Sequence, residues 1–179
     1  MDDEEAIERV LAGDINCFGA LVDKYQNKVL GMIYNMTRDR HLSEDLGQDV
    51  FLDAYRSLAR FDSARSRFST WLYRIAQNKA INALRKRKPL PFAQLPERAI
   101  EATGLAKFAA EELHVEFDRI LNQLPVRQRA AFVWSEIQEL SYKQIAEIEG
   151  VSVGTIKSRI SRARRFLQDA LRASKGHLQ

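Results

Sequence analysis

Apolar residues recur at three- and four-residue steps through most of this chain. Phe18, Leu21, Val22, Tyr25, Val29, Met32, Ile33 and Met36 form one such stripe, and Leu46, Val50, Ala54, Leu58 and Phe61 form a second. That spacing keeps each set on one helix face. A third helix is expected to start from a Ser69 or Thr70 cap, run towards Lys88 and stop at Pro89. Pro89, Pro91 and Pro96, with Gly104 beyond them, then interrupt the pattern until about Leu113. Helical spacing resumes from Val115 to Leu124, and Pro125 suits the first turn of a further helix with Ala130, Val133, Trp134 and Ile137 on its face. Strand signals are few. The pattern predicts an all-α chain of two small helical domains, residues 1–88 and 113–179, joined by a flexible linker over 89–112.

Residues Ser141 to Arg165 carry the sharpest local pattern. Ser141 caps a short helix bearing Ile145, Ala146 and Ile148; Glu149-Gly150 makes a turn; Ser152 caps a second helix. Glycine at the turn tolerates positive φ, and the small Ala146 lets two helices approach. On the second helix Ile156, Ile160, Ala163 and Leu167 share one face, while Gly154, Thr155, Ser158, Ser161, Arg162 and Arg165 lie opposite, flanked by Lys157, Arg159 and Arg164. This is a helix-turn-helix pattern whose second helix can enter a major groove. There Arg162 and short polar groups would face base edges, and the flanking cations phosphates.

Charge is unevenly distributed. The net charge is only +4, but Met1 to Asp62 holds 13 acidic against 7 basic residues, and Ser63 to Lys88 holds 8 basic and no acidic residue. An acidic stretch follows from Pro89 to Glu116, and Ser152 to Lys175 has 7 basic residues against one acidic, Asp169. Two basic blocks with an acidic spacer suit two contacts on one long polyanion, although a basic run is also the ordinary make-up of a solvated helix face. The first block interleaves cations with aromatics in Arg65-Ser-Arg-Phe-Ser-Thr-Trp-Leu-Tyr-Arg, and Arg74, Asn78, Asn82 and Arg85 follow on one side. Cations track phosphates, rings stack on exposed bases and Asn pairs with a base edge, a chemistry suited to opened DNA. Phe68, Trp71 and Tyr73 also suit a core, Trp71 equally with a base-stacking role.

Other classes recede. At 45% hydrophobic and 29% charged, the 179 residues suit a globular chain. One cysteine, Cys17, excludes an internal disulfide, and beside the apolar stripe it reads as a packed thiol. No run is long enough to cross a membrane, and Met-Asp-Asp-Glu-Glu is no secretion signal, so no membrane insertion and a cytoplasmic location are expected. His41, His114 and His177 fit no metal pattern, and neither a phosphate-binding loop nor a nucleophile elbow is present, so no cofactor, metal or enzymatic activity is expected. Glu44, Asp45, Asp49 and Asp53 along one helix edge read as a solvated or partner-facing rim.

The order of motifs resembles the extracytoplasmic-function sigma factors of bacterial RNA polymerase, and within them the sigma-E-like group, from about Ala6 to Leu171. The matching pieces are Asp45-Leu-Gly-Gln-Asp-Val-Phe51 with Ala54-Tyr55-Arg56, Phe68-Ser-Thr-Trp-Leu-Tyr-Arg-Ile-Ala-Gln-Asn78, Leu124-Pro-Val-Arg-Gln-Arg129, and Leu140-Ser-Tyr-Lys-Gln-Ile-Ala146 leading to Val153-Gly-Thr-Ile-Lys-Ser-Arg-Ile-Ser-Arg-Ala-Arg164. The resemblance implies that Asp45, Gln48, Asp49 and Phe51 grip the coiled coil of the polymerase β′ subunit. It implies that Arg65, Phe68, Trp71, Arg74, Asn78, Asn82 and Arg85 open and hold the −10 promoter element. The helix-turn-helix, through Thr155, Lys157, Ser158, Arg159, Arg162 and Arg165, would read the −35 element and dock on the β subunit. An anti-sigma factor is a further implied partner, and the acidic linker would thread towards the RNA exit channel. Gly47 departs from the family, where a larger residue is commoner, and mid-helix it should cost roughly 0.5–1 kcal/mol relative to alanine. Without the resemblance, a stand-alone helix-turn-helix regulator whose N-terminal domain dimerises or senses a ligand is the second reading; the aromatic basic block favours the first.

Overall fold

The computed structural model describes residues 1–86 and 116–176, with side chains as far as Ser174. The expected linker over 89–112, with Glu111 and Glu112, lies outside the described residues. Within them every regular element is helical, as the spacing predicted.

The first lobe has four α-helices and one short 3₁₀ helix, Leu58–Arg60, after the third. In α1 (Asp3–Leu11) the Asp2 carboxylate accepts the Glu5 N–H at 2.8 Å, and three acidic residues complement the positive end of the helix dipole. Ala6, Ile7 and Val10 bury its inner face. Asp3 then ties α1 to α2 (Cys17–Thr37), accepting from the Tyr25 hydroxyl at 2.5 Å and from Lys24 at 2.7 Å. α2 is the central post of the lobe: Val29, Met32, Ile33 and Met36 are wholly buried. It ends where Arg38 adopts left-handed φ (53°) and its N–H returns to the Tyr34 carbonyl. Asp39 caps α3 (Arg40–Ser57) through the Leu42 N–H.

α3 runs unbroken through Gly47, and the reason for the glycine is steric. A Cβ there would sit 2.6 Å from Leu30 Cδ2 of α2, so Gly47 lets the two helices meet closely.

α4 (Phe68–Lys86) begins earlier than expected. Ser69 and Thr70 lie within its first turn and do not cap it. Asp62 instead organises the preceding turn, accepting the Ala64 N–H through its side chain and the Arg65 N–H through its carbonyl. The Arg67 carbonyl takes the first helical bond, from Trp71. Phe68 sets this start by packing into a ring cluster with Tyr25, Phe61 and Trp71, centroids 5.4–5.7 Å apart for the pairs within Phe61, Phe68 and Trp71.

The second lobe comprises α5 (residues 116–123), α6 (Val126–Phe132), a π-helical turn (Val133–Ile137), α7 (Tyr142–Glu149) and α8 (Val153–Gly176). Pro125 stands just outside α6, at its cap rather than in its first turn. Arg129 braces this lobe: buried itself, it donates to the Asn122 carbonyl at 2.6 Å and the Asn122 side chain at 2.8 Å. Ala130, Val133 and Trp134 face inward as expected, but Ile137 is 36% exposed. The π turn adds a residue to the helical repeat and so rotates Ile137 off the apolar face. Ile120, Leu121, Leu124, Phe132, Ala163 and Leu167 form one core of the lobe.

A second apolar set of this lobe faces the other way. Trp134, Ile145, Ala146, Ile148, Ile156 and Ile160 pack into one continuous cluster with the core of the first lobe. Trp134 meets Tyr73 of α4 ring to ring at 5.4 Å. Arg129 reaches across to the Met36 carbonyl at 2.9 Å, and Arg38 pairs with Asp118 at 2.6 Å. Those last two bonds fix α5 and α6 to the C-terminal end of α2.

Candidate polymerase and promoter surfaces

Three surfaces carry the residues singled out by the sequence. On α3, Asp45, Gln48 and Asp49 are exposed and occupy steps of three and one on a common face, with Phe51 half-buried beside them. Asp49 and Asp53 converge on Lys79 of α4, at 3.5 and 2.8 Å, so two of the acidic side chains also tie α3 to α4. Beside this rim a groove of about 670 Å³ opens between α2 and α3, lined by Phe18, Val22, Leu30, Gln48, Phe51 and Leu52 among others. Leu52 is 50% exposed and Ile15, at the groove's edge, 61%. Sequence reasoning missed both; the available signal was that Leu52 is apolar yet off the buried stripe of α3, and that Ile15 is apolar in the turn between α1 and α2.

On α4, Asn78, Asn82 and Arg85 are exposed along one side. Trp71 is half-buried, and Phe68 is only 3% exposed. Phe68 therefore supports the loop before α4 from beneath in this form. Arg65 is exposed in that loop and pairs with Asp62 at 3.1 Å. Arg74 is turned to the other lobe: its Nε donates to the Ile148 carbonyl at 3.2 Å and its terminal nitrogen to the Glu147 carbonyl.

The helix-turn-helix forms as its residues dictate. Ser141 and Gln144 make a reciprocal capping box at the start of α7, and Gly150 ends it at φ 65°, a conformation that glycine adopts without strain. Ser152 caps α8 by accepting the Thr155 N–H at 3.2 Å. Ile156, Ile160, Ala163 and Leu167 are buried, leaving Lys157, Ser161, Arg162 and Arg165 exposed. Ser158 and Thr155 are half-buried; the Ser158 hydroxyl donates to the Thr155 carbonyl and accepts from Arg162 at 3.3 Å. The flanking arginines differ. Arg164 pairs with Glu136 at 2.7 Å, and Arg159 with Glu149, whose side chain is fully buried. Burial pushes the Glu149 carboxyl above its ordinary value, with Arg159 opposing it.

Cys17 is buried and donates to Asp14 at 3.2 Å, and that bond together with burial raises its pKa. Among the described residues no group of His, Cys, Asp or Glu is placed to hold a metal ion, and no helix is long and apolar enough to cross a membrane.

An acidic helix edge, a basic aromatic helix and a helix-turn-helix follow one another in this order, and comparison with known proteins assigns the arrangement to a polymerase specificity subunit. The chain matches the sigma-70 region 2 family over residues 21–89 and the sigma-70 region 4 family over 114–167. It is 37% identical to the RNA polymerase sigma-H factor of Pseudomonas aeruginosa, covering 94% of this chain and 93% of that one. It is 35% identical to the SigW factor of Bacillus subtilis (94% and 96% covered) and 37% identical to the sigma-E factor of Escherichia coli K12 (94% of each). The structure of CnrH in complex with the cytosolic domain of CnrY superposes with a TM-score of 0.74 at 25% identity, over 96% of this chain and 97% of CnrH. The chain belongs to the extracytoplasmic-function family of RNA polymerase sigma factors, in its sigma-E-like group. Its two lobes are the region 2 bundle and the region 4 helix-turn-helix.

Proposed function

We propose that this sigma factor divides promoter recognition between its lobes, and that Asp45, Gln48, Asp49 and Phe51 on α3 seat it on the polymerase β′ subunit. Residues 1–88 then form the unit that holds the opened −10 element, 113–179 the unit that reads the −35 duplex and docks on β, and 89–112 the connection between them. Arg65, Arg74 and Arg85 follow the phosphates of the displaced strand, and Asn78 and Asn82 meet base edges. Trp71 stacks on a base, and Phe68 holds the loop from below. On α8, Arg162 pairs with a base, Thr155 and Ser158 line the groove, and Lys157, Arg159 and Arg165 neutralise phosphates. Base flipping costs a few kcal/mol of unstacking, and the loop ahead of α4 recovers it by capturing the base. Two weak sites gain by acting together because the polymerase fixes their separation.

The protein works without enzymatic activity of its own, in the cytoplasm, and an anti-sigma factor keeps it from polymerase until a signal arrives. CnrH, whose structure is a complex with the cytosolic domain of CnrY, supports a protein partner bound to this fold. The observation that carries the whole reading is the exposed strip of Asn78, Asn82 and Arg85 on α4 in the same chain as the exposed Arg162 and Arg165 on α8. Reconstituting the chain with core polymerase and selecting bound promoters tests it. A two-part element with fixed spacing, and permanganate-reactive thymines in its downstream part that disappear with Trp71→Ala, is the expected result. Tight binding of a palindromic duplex by the protein alone, without polymerase, would favour the stand-alone regulator.

A further inference from the structure

Two arginines assigned to different promoter elements meet the same end of one short helix. Glu147, Ile148 and Glu149 are the last three residues of α7. The closing turn there leaves carbonyls without helical partners: Gly150 and Val151 both return their N–H groups to Ala146. The Glu147 and Ile148 carbonyls accept instead from Arg74, which comes from α4 of the other lobe. This is the negative end of the α7 dipole, where a guanidinium is favoured. One residue on, the Glu149 carboxylate holds Arg159 of α8.

The two contacts depend on each other through burial. Arg74 can reach α7 only while the lobes are together. The Glu149 side chain has no exposed surface, and Gln77 of α4, 1% exposed, faces it along with Arg127. Parting the lobes therefore breaks the Arg74 bonds and also admits water to Glu149. An ion pair moved from a dry site to water keeps only a small fraction of its strength, so Arg159 becomes free to exchange partners.

We propose that the C-terminal end of α7 is a clasp: with the lobes closed it withholds one DNA-reading arginine from each promoter site, and opening releases both together. The proposal deepens the reading above and rests on its assignment of Arg74 and Arg159 to DNA.

Salt dependence of binding by the free full-length chain tests it, because the slope of log affinity on log salt counts phosphates engaged, about 0.9 each on duplex and about 0.7 on single strands. Fluorescence anisotropy is measured with an oligo-dT strand and with a mixed-sequence duplex. Arg38→Asp sets like charges against Asp118 across the lobes; aspartate tolerates the left-handed φ at this position. This variant also lowers net charge, so electrostatics alone would make both slopes shallower. Both slopes are instead expected to steepen, by about 0.7 on the strand and about 0.9 on the duplex, with a larger radius by small-angle scattering.

Glu149→Gln should steepen the duplex slope alone by about 0.9. Glu147→Gln, which removes the same charge from an exposed position of α7, should leave both slopes at the wild-type value. Unchanged slopes in both Arg38→Asp and Glu149→Gln, or an equal response in Glu147→Gln, overturn the clasp. A response in Glu149→Gln without one in Arg38→Asp overturns the coupling, and the reverse overturns the hold of Glu149 on Arg159. Arg38→Asn replaces Arg38→Asp if circular dichroism shows lost helicity, with the same expected direction. In reconstituted holoenzyme, Arg74→Ala and Arg159→Ala separate the two claims. Unchanged promoter affinity there removes the DNA assignment, whereas reduced affinity with unresponsive free-chain slopes removes only the clasp.

Discussion

Gly47 and Glu149 each look unfavourable in isolation, a glycine inside a helix and a carboxylate without solvent. For Gly47 the loss in helix propensity is set against the close seat it gives Leu30. Gly47→Ala recovers up to about 1 kcal/mol of propensity, but the new methyl forces the end of Leu30 off its position at about 0.5–1.5 kcal/mol. Unfolding by urea should therefore find this variant within roughly 1 kcal/mol of wild type, and a clear gain would mean that Leu30 moves freely. Glu149 predicts a pH dependence. Its carboxyl lies above the ordinary 4.5 because burial disfavours the charge more than Arg159 restores it. Between those two values the folded chain binds more protons than the unfolded chain, so stability from this group rises as pH falls and the penalty is complete above the raised value. Glu149→Gln carries no such term. Its unfolding free energy relative to wild type should grow from acid to neutral pH in parallel urea titrations, and superimposable pH profiles would contradict the assignment. The packed thiol of Cys17 was legible in the sequence from the apolar residue beside it, whereas the fit of Leu30 over Gly47 was not, because it depends on how closely a different helix, α2, approaches α3 in space.

Among elements, the helix-turn-helix was the most legible, since its caps, turn and apolar face are all local. Ser141, Gly150, Ser152 and the stripe from Ile156 to Leu167 occupy the positions that their chemistry demanded. Arg162 stands exposed on the outer face of α8, and Arg162→Ala should lower discrimination of the cognate −35 duplex by about 1–3 kcal/mol, the size of one good base contact. Competition between cognate and random duplexes for the holoenzyme measures it; an equal loss on both would make Arg162 a phosphate contact. The start of α4 was misread because Ser69 and Thr70 have good capping chemistry, yet the neighbouring Phe68 enters the ring cluster with Phe61 and Trp71 as the first residue of the helix. The π turn was likewise invisible to a periodicity of 3.6, and it moved Ile137 outward.

For the whole molecule, the sequence revealed two helical units and two basic blocks, but not that the units close on each other. Periodicity tells which face of a helix is apolar and not which partner covers it. Trp134, on the expected inner face of its helix, joins the core shared with Tyr73. Trp134→Ala should therefore cost about 3–5 kcal/mol and raise amide exchange at Met32 and Ile33 in the opposite lobe. Exchange confined to residues 116–176 would show that the lobes are energetically independent. The continuous cluster also bears on how such proteins can diversify. If Tyr73 and Trp134 are fitted to one another, a promoter-reading half grafted from a distant cousin would arrive with the wrong counterpart, and hybrids would be sound only when both rings are exchanged as a pair.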